Sequence, residues 1–392
     1  MRDFLTERAK TLKPSGIRKY FDILESMPDA ISLGVGEPDF VTPWDIRSAG
    51  IRSLQKGYTA YTSNRGLTEL RQLISRYLAE RFGVDYPAER IIVTVGASEG
   101  IDLALRTTCE PGDEVLVPDP AYVSYAPIIM LCGGKAVGVR CSADNGFIMT
   151  PEAIEAAITP KTKALILAYP NNPTGAVMTR EQLEAILPVI EKYDLLVISD
   201  EIYAELTYGG RHCSVASLEG MKERTVLLSG FSKAFAMTGW RIGYACAPAA
   251  LDAAMLKVHQ YTMLCAPRMA QHAAAAALSG GFQDGFSAVE QMRAEYDKRR
   301  RFLVNSFNEL GLTCFEPRGA FYAFPSVQST GLTGEQFVER LLHEEQVAVV
   351  PGDAFGEGGK YHVRCSYATG MRELQEAVAR IARFTEKLRK NG

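Results

Sequence analysis

Three runs in the middle of the chain restrict it most. ALILA at 164–168, LLVI at 195–198 and VLL at 226–228 are apolar on consecutive positions, not alternate ones. Successive side chains of a strand point to opposite faces, so a strand with one wet face alternates. Runs without alternation are dry on both faces, as in a parallel sheet covered by helices. The intervening segments agree. Thr179 and Gln182 make a capping box ahead of Leu183, Ile186, Leu187 and Ile190, with Pro188 predicted to kink that helix. Thr150 and Pro151 start another helix as cap and first residue. RIIVTVGAS and DEVLVPDP read as further short strands, with the helix EGIDLALRTTC between them.

The pattern changes near residue 290. GAFYAFPSV, VAVVPG and YHVRCSYA read as shorter strands beside helices at 335–343 and 374–388. The expected architecture is therefore α/β: a large domain with a mainly parallel sheet over 48–290 and a smaller α+β domain over 291–392. Residues 1–47 are expected to join the small domain.

Composition removes several classes of function. A formal net charge of -3 gives no electrostatic case for nucleic acid or an anionic membrane. No apolar run approaches the roughly 18 to 20 residues of a membrane span. The eight cysteines contain no C-x-x-C pair and the five histidines no H-E-x-x-H, so no metal centre is expected. The cysteines read as buried thiols of a reducing compartment, and the polar N-terminus lacks a signal peptide's apolar core. A cytoplasmic protein is expected.

Ligands of open α/β sheets bind at the carboxyl ends of the strands. There this chain places Gly96, Ala97 and Ser98 at a helix start, then Asn172, then Asp200 and Tyr203, then Ser229, Ser232 and Lys233, with Arg241 following. Each has an ordinary reading alone: Lys233 as a strand-end lysine, Asp200 as a turn cap, Arg241 as a surface ion pair. Together they make a different set. A helix start opened by small residues attracts anions, and an arginine fork suits phosphate. A lysine at a buried strand end is costly unless its amine is used uncharged. A phosphate site, an amine nucleophile and a buried carboxylate point to pyridoxal 5′-phosphate: the lysine for its aldehyde, the aspartate for its ring nitrogen. No G-x-G-x-x-G opens a helix after a strand, which argues against a dehydrogenase.

GEPDF, AYTSNRGLTELR, NNPTG, SDEIYAEL, SGFSKAFAMTGWRIGY, GAFYAFP and VRCSYA occur in this order. In these segments, which are spread over most of the chain, it resembles the class I/II aminotransferases of pyridoxal-phosphate fold type I. The resemblance implies that Lys233 bonds the cofactor and then carries protons, while Asp200 keeps the ring nitrogen protonated. Asn172 and Tyr203 would hold the ring's phenolate oxygen, and Tyr122 would stack on the ring. Arg364, with Gly36 beside it, would clamp the substrate α-carboxylate. Tyr61 would reach the phosphate of a neighbouring subunit, which implies a homodimer. The family's phosphate-binding serine falls at Gly230 here, so Ser229 or Ser232 would take that role. Ser98 stands where aspartate-specific relatives that resemble this chain closely carry lysine, although Ser15 is retained; Lys13, Ser15 and Arg18 could approach the substrate side chain. Trp240 is expected to pack, and the histidines to be structural. The implied reaction moves an amino group from an L-amino acid (aspartate, aromatic or related) to a 2-oxo acid, with 2-oxoglutarate the expected acceptor. A carbon–sulfur β-lyase of the same fold is the alternative, and a silent cofactor-binding scaffold the rival from another class.

Overall fold

The computed structural model describes residues 2–14, 16, 27 and 29–391. Ser15 and Arg18, expected near the substrate, lie outside the described residues. After β1 (Ile31–Ser32) come seven strands of one sheet: β2 (Ile91–Thr94), β3 (Glu114–Asp119), β4 (Lys135–Arg140), β5 (Thr162–Ala168), β6 (Leu196–Asp200), β7 (Thr225–Gly230) and β8 (Gly243–Cys246). Their order is β2-β8-β7-β6-β5-β3-β4. Strands β3 to β7 pair in parallel, whereas β8 runs antiparallel between β2 and β7. The apolar runs fall on β5, β6 and β7, and their interiors are fully buried. The helix Gly96–Thr108 packs on β7 and β8.

The local signals act as their chemistry predicts. Thr179 and Gln182 cap the helix Arg180–Lys192 reciprocally, and Thr150 accepts from Ala153 N–H ahead of Pro151–Ala157. Trp240 packs over Gly50, and its indole N–H donates to Thr42 Oγ1 at 3.2 Å.

The remaining strands are short: β9 (Tyr322–Ala323), β10 (Val347–Ala348), β11 (Val350–Pro351) and β12 (Val363–Ser366). β12 lies antiparallel between β11 and β9. β10 pairs in parallel with β1, which ties the N-terminal residues to the C-terminal part of the chain. One apolar core joins them, with Leu33, Phe337, Leu341 and Phe384 all at most 1% exposed. Among the described residues, no helix is long and apolar enough to cross a membrane.

Candidate active site

The antiparallel β8 explains how residues far apart in sequence meet. The parallel strands bring their carboxyl ends to one sheet edge, and β2 shares their direction because β8 opposes both β2 and β7. That edge receives Asp200 from the end of β6 and Lys233 just beyond β7. The chain then turns back, so the amino end of β8 meets the same edge with Arg241 two residues ahead of it. β9 and β12 close the opposite side with Tyr322 and Arg364. Between them lies a cavity of about 740 Å³, within the usual range for small-ligand sites.

Eleven of the fourteen expected site residues line this cavity: Gly36, Ala97, Ser98, Tyr122, Asn172, Asp200, Tyr203, Ser232, Lys233, Arg241 and Arg364. The other three lie elsewhere. Gly96 sits under the cavity with φ +74°, and a Cβ there would come within 2.6 Å of Arg241 Nη2. Glycine therefore serves twice: it turns β2 into the helix and leaves room for the guanidinium. Ser229 points away, its hydroxyl donating to the Glu201 carbonyl at 3.2 Å, so Ser232 is the serine at the cavity. Tyr61 is 79% exposed, away from its own cavity. Lys13 is also exposed.

The electrostatics centre on Lys233. Its half-buried ammonium donates to the Gly36 carbonyl at 2.7 Å. Burial pulls its pKa down to about 8; the guanidiniums of Arg364 and Arg241 act in the same direction, and Glu37 and Asp200 oppose them. Asp200 is 6% exposed, and burial raises its pKa despite hydrogen bonds from Tyr125 Oη at 2.7 Å and Ile202 N–H at 3.3 Å. A carboxylate held this way favours a cationic partner. Arg364 donates to Asn172 Oδ1 at 3.0 Å and to the Gly34 carbonyl at 2.6 Å, leaving its buried Nε without a partner.

Three further residues shape the site that the sequence motifs did not single out. Tyr125 holds Asp200. Glu99 takes the Val95 N–H at 2.5 Å and faces His259 Nδ1 at 2.5 Å, fastening the helix start from below. Tyr322 joins Tyr203 and Arg364. Tyr125 and Tyr322 stand in aromatic, apolar stretches where nothing in the spacing separates a polar tip from core packing. Glu99 did carry a signal, an acid in the first turn of a helix whose start is free.

A sheet edge that gathers a depressed-pKa lysine, a buried carboxylate and two arginines defines an α/β enzyme of amine chemistry. Comparison with known proteins makes the class definite. The family model for aminotransferase class I and II matches residues 28–381. A Bacillus subtilis protein named "Putative aminotransferase YugH" is 53% identical over 99% of this chain and 100% of its own. An aspartate aminotransferase of Pyrococcus abyssi is 45% identical, covering 96% and 97% of the two chains. The crystal structure of an aromatic aminotransferase from Pyrococcus horikoshii superposes with a TM-score of 0.89 at 44% identity, covering 94% of this chain and 99% of that one. The chain belongs to the class I and II aminotransferases and is an aminotransferase.

Proposed function

We propose that the protein uses pyridoxal 5′-phosphate to move the amino group of an L-amino acid, aspartate or an aromatic one, to a 2-oxo acid such as 2-oxoglutarate. The single observation that carries the reading is Lys233, an amine with a pKa brought down to about 8, facing Asp200 and Arg364 across one cavity. The donors are suggested by the relatives named for aspartate and for aromatic amino acids.

The residues fit this cofactor. The helix start at Gly96, the Arg241 guanidinium above it and the Ser232 hydroxyl form an anion cradle for the phosphate. The partnerless Arg364 Nε, with Asn172 beside it, suits a substrate carboxylate. Asp200 matches a protonated ring nitrogen, Tyr203 and Asn172 the ring's oxygen, and Tyr122 a ring face.

When bound, the cofactor supplies an electron sink for the charge left as the substrate loses its α-proton. Arg364 orients the substrate by its carboxylate so that the α-hydrogen faces Lys233. Lys233 Nζ, half uncharged at about pH 8 and mostly uncharged above it, would take that proton and return it as the transfer completes. The bond from Tyr125 favours the ionised form of Asp200 against the burial that raises its pKa. Removing that bond in Tyr125→Phe lifts the Asp200 pKa further. It should slow turnover by about 10- to 100-fold, the worth of a hydrogen bond to a charged group, read from kcat under saturating substrate.

The reading includes a cytoplasmic homodimer in which eight unpaired thiols persist. It also divides the chain into parts at 48–290 and 291–392, with 1–47 joined to the second. Tyr61, Trp44, Leu54, Tyr261 and Met263 are exposed large apolar residues. Asn64 donates to the Leu264 carbonyl, placing the Tyr61 loop beside Tyr261 and Met263. Exposed large apolar side chains of this kind favour a protein interface, here with a second copy. Tyr61→Phe should leave the dimer intact in sedimentation yet weaken cofactor retention about fivefold, one hydrogen bond's worth, when the holoenzyme is dialysed.

The test of the function is the visible spectrum of purified protein with added pyridoxal phosphate, mixed with single L-amino acids in the absence of oxo acid. Conversion of the yellow band to the amine form establishes the reaction and ranks donors. Accumulating ammonia and oxo acid under a persistent band would mean a lyase instead.

A further inference from the structure

Tyr322 touches three separate parts of the site. Its hydroxyl lies 2.9 Å from the Tyr203 hydroxyl. Its ring carries the Arg364 guanidinium 4.5 Å from the centroid. A Cβ built on Gly36 would come within 2.8 Å of Tyr322 Oη, so the hydroxyl also presses against the turn whose carbonyl holds Lys233. The residue is 1% exposed and fixed by the sheet: β9 and β12 set it opposite Ser366, two residues beyond Arg364.

We propose that Tyr322 is a positioning residue with two separable duties: its ring is the platform that aims Arg364 at the substrate carboxylate, and its hydroxyl sets how strongly Tyr203 donates within the site. The inference rests on the cofactor reading above. The physical basis of the first duty is the attraction of a guanidinium to an aromatic face in a desolvated place. The basis of the second is polarisation along a hydrogen-bond chain. A Tyr203 oxygen that accepts from Tyr322 leaves its own proton more available to a phenolate. Burial keeps both phenols protonated, raising the pKa of each, and Arg364, Tyr122, Glu37 and Lys233 are the other charged or titratable groups around them.

Two substitutions separate the duties. Tyr322→Phe keeps the ring and removes the hydroxyl; Tyr322→Leu removes both. The readouts are the pH midpoint of the holoenzyme's visible band, and the Kd of succinate and of 3-phenylpropionate, two unreactive carboxylates. Tyr322→Phe should raise the midpoint by about 0.7 pH unit, the size of one neutral hydrogen bond, because a weaker donor stabilises the phenolate less. It should leave both Kd values unchanged. Tyr322→Leu should move the midpoint similarly and raise both Kd values about 5- to 30-fold, the worth of a buried cation–π contact. Tyr203→Phe, the control, should shift the midpoint further than Tyr322→Phe.

A midpoint that moves in Tyr203→Phe and stays put in Tyr322→Phe would overturn the hydroxyl's duty. Carboxylates bound as tightly by Tyr322→Leu as by the unsubstituted protein would overturn the ring's duty. If Tyr322→Leu does not fold, a Kd raised in Tyr322→Phe as well would count against the separation. No visible band in the unsubstituted protein would sink the cofactor reading itself, and this inference with it.

Discussion

Lys233→Ala is expected to reduce transamination by ~10⁴-fold or more, because it removes a covalent amine and the only proton carrier proposed at the substrate α-carbon. The half-buried amine sits at 2.7 Å from a backbone carbonyl, and its pKa is about 8 against the ordinary 10.5. Burial is the main cause, since a low-dielectric site disfavours the charged form. The sign of the pH effect follows. Below pH 8 the amine is mostly protonated and cannot attack an aldehyde; above it the neutral form dominates. Reconstitution of cofactor-free protein with pyridoxal phosphate should therefore speed up as pH rises through about 8 and then level off. Stopped-flow absorbance would follow it. Lys233→Ala should still bind the cofactor through the Arg241 cradle, without a covalent bond, so denaturation and dialysis would release it from borohydride-treated variant but not from treated parent protein. Normal turnover by Lys233→Ala would end the assignment.

What was legible in the sequence divides along a physical line. Strands dry on both faces must be apolar throughout, so β5, β6 and β7 stand out, and the polar residues gathered within a few positions after each apolar run lie where the sheet meets solvent or ligand. Asp200, Lys233 and Asn172 are readable for that reason. β8 was not read as a strand, since GYAC follows directly on a glycine-rich turn and is only four residues long. Yet β8 is what brings Arg241 back to the edge. Which of Ser229 and Ser232 faces the cavity depends on which way a hydroxyl points at a strand end, and the bond to the Glu201 carbonyl turns Ser229 away. Tyr125 and Tyr322 were hidden for a related reason: a tyrosine in an apolar stretch looks like core until its hydroxyl's partner is known. Ordinary side chains thus supply the positioning, while the residues with unusual chemistry announce themselves.

The second large effect is expected at Asp200. Asp200→Asn keeps the shape of the side chain and the bond to Tyr125, but removes the negative charge. In the parent protein that charge is nearly buried and its pKa is raised by burial, with Tyr125, Ile202 N–H and Lys233 pulling the other way. Folding has thus left an anion short of partners, and a protonated ring nitrogen would complete it. Breaking a buried pair by removing one member costs about 3–5 kcal/mol, or roughly 10²- to 10⁴-fold in rate if the pair is used in the reacting state. Single-turnover absorbance with a good donor would read that loss directly, since the amine form accumulates in one half-reaction. The loss should fall on the chemical step: the Kd of an unreactive carboxylate, governed by Arg364, should stay near the parent value. Asp200→Asn should also respond little to a second change at Tyr125, because the bond between them then no longer steadies a charge. A double-mutant cycle with Tyr125→Phe would show this as strong non-additivity. Additive losses would mean that Tyr125 acts on the site by some route other than Asp200. A rate within a few-fold of the parent for Asp200→Asn would mean that the ring nitrogen is not where the carboxylate acts.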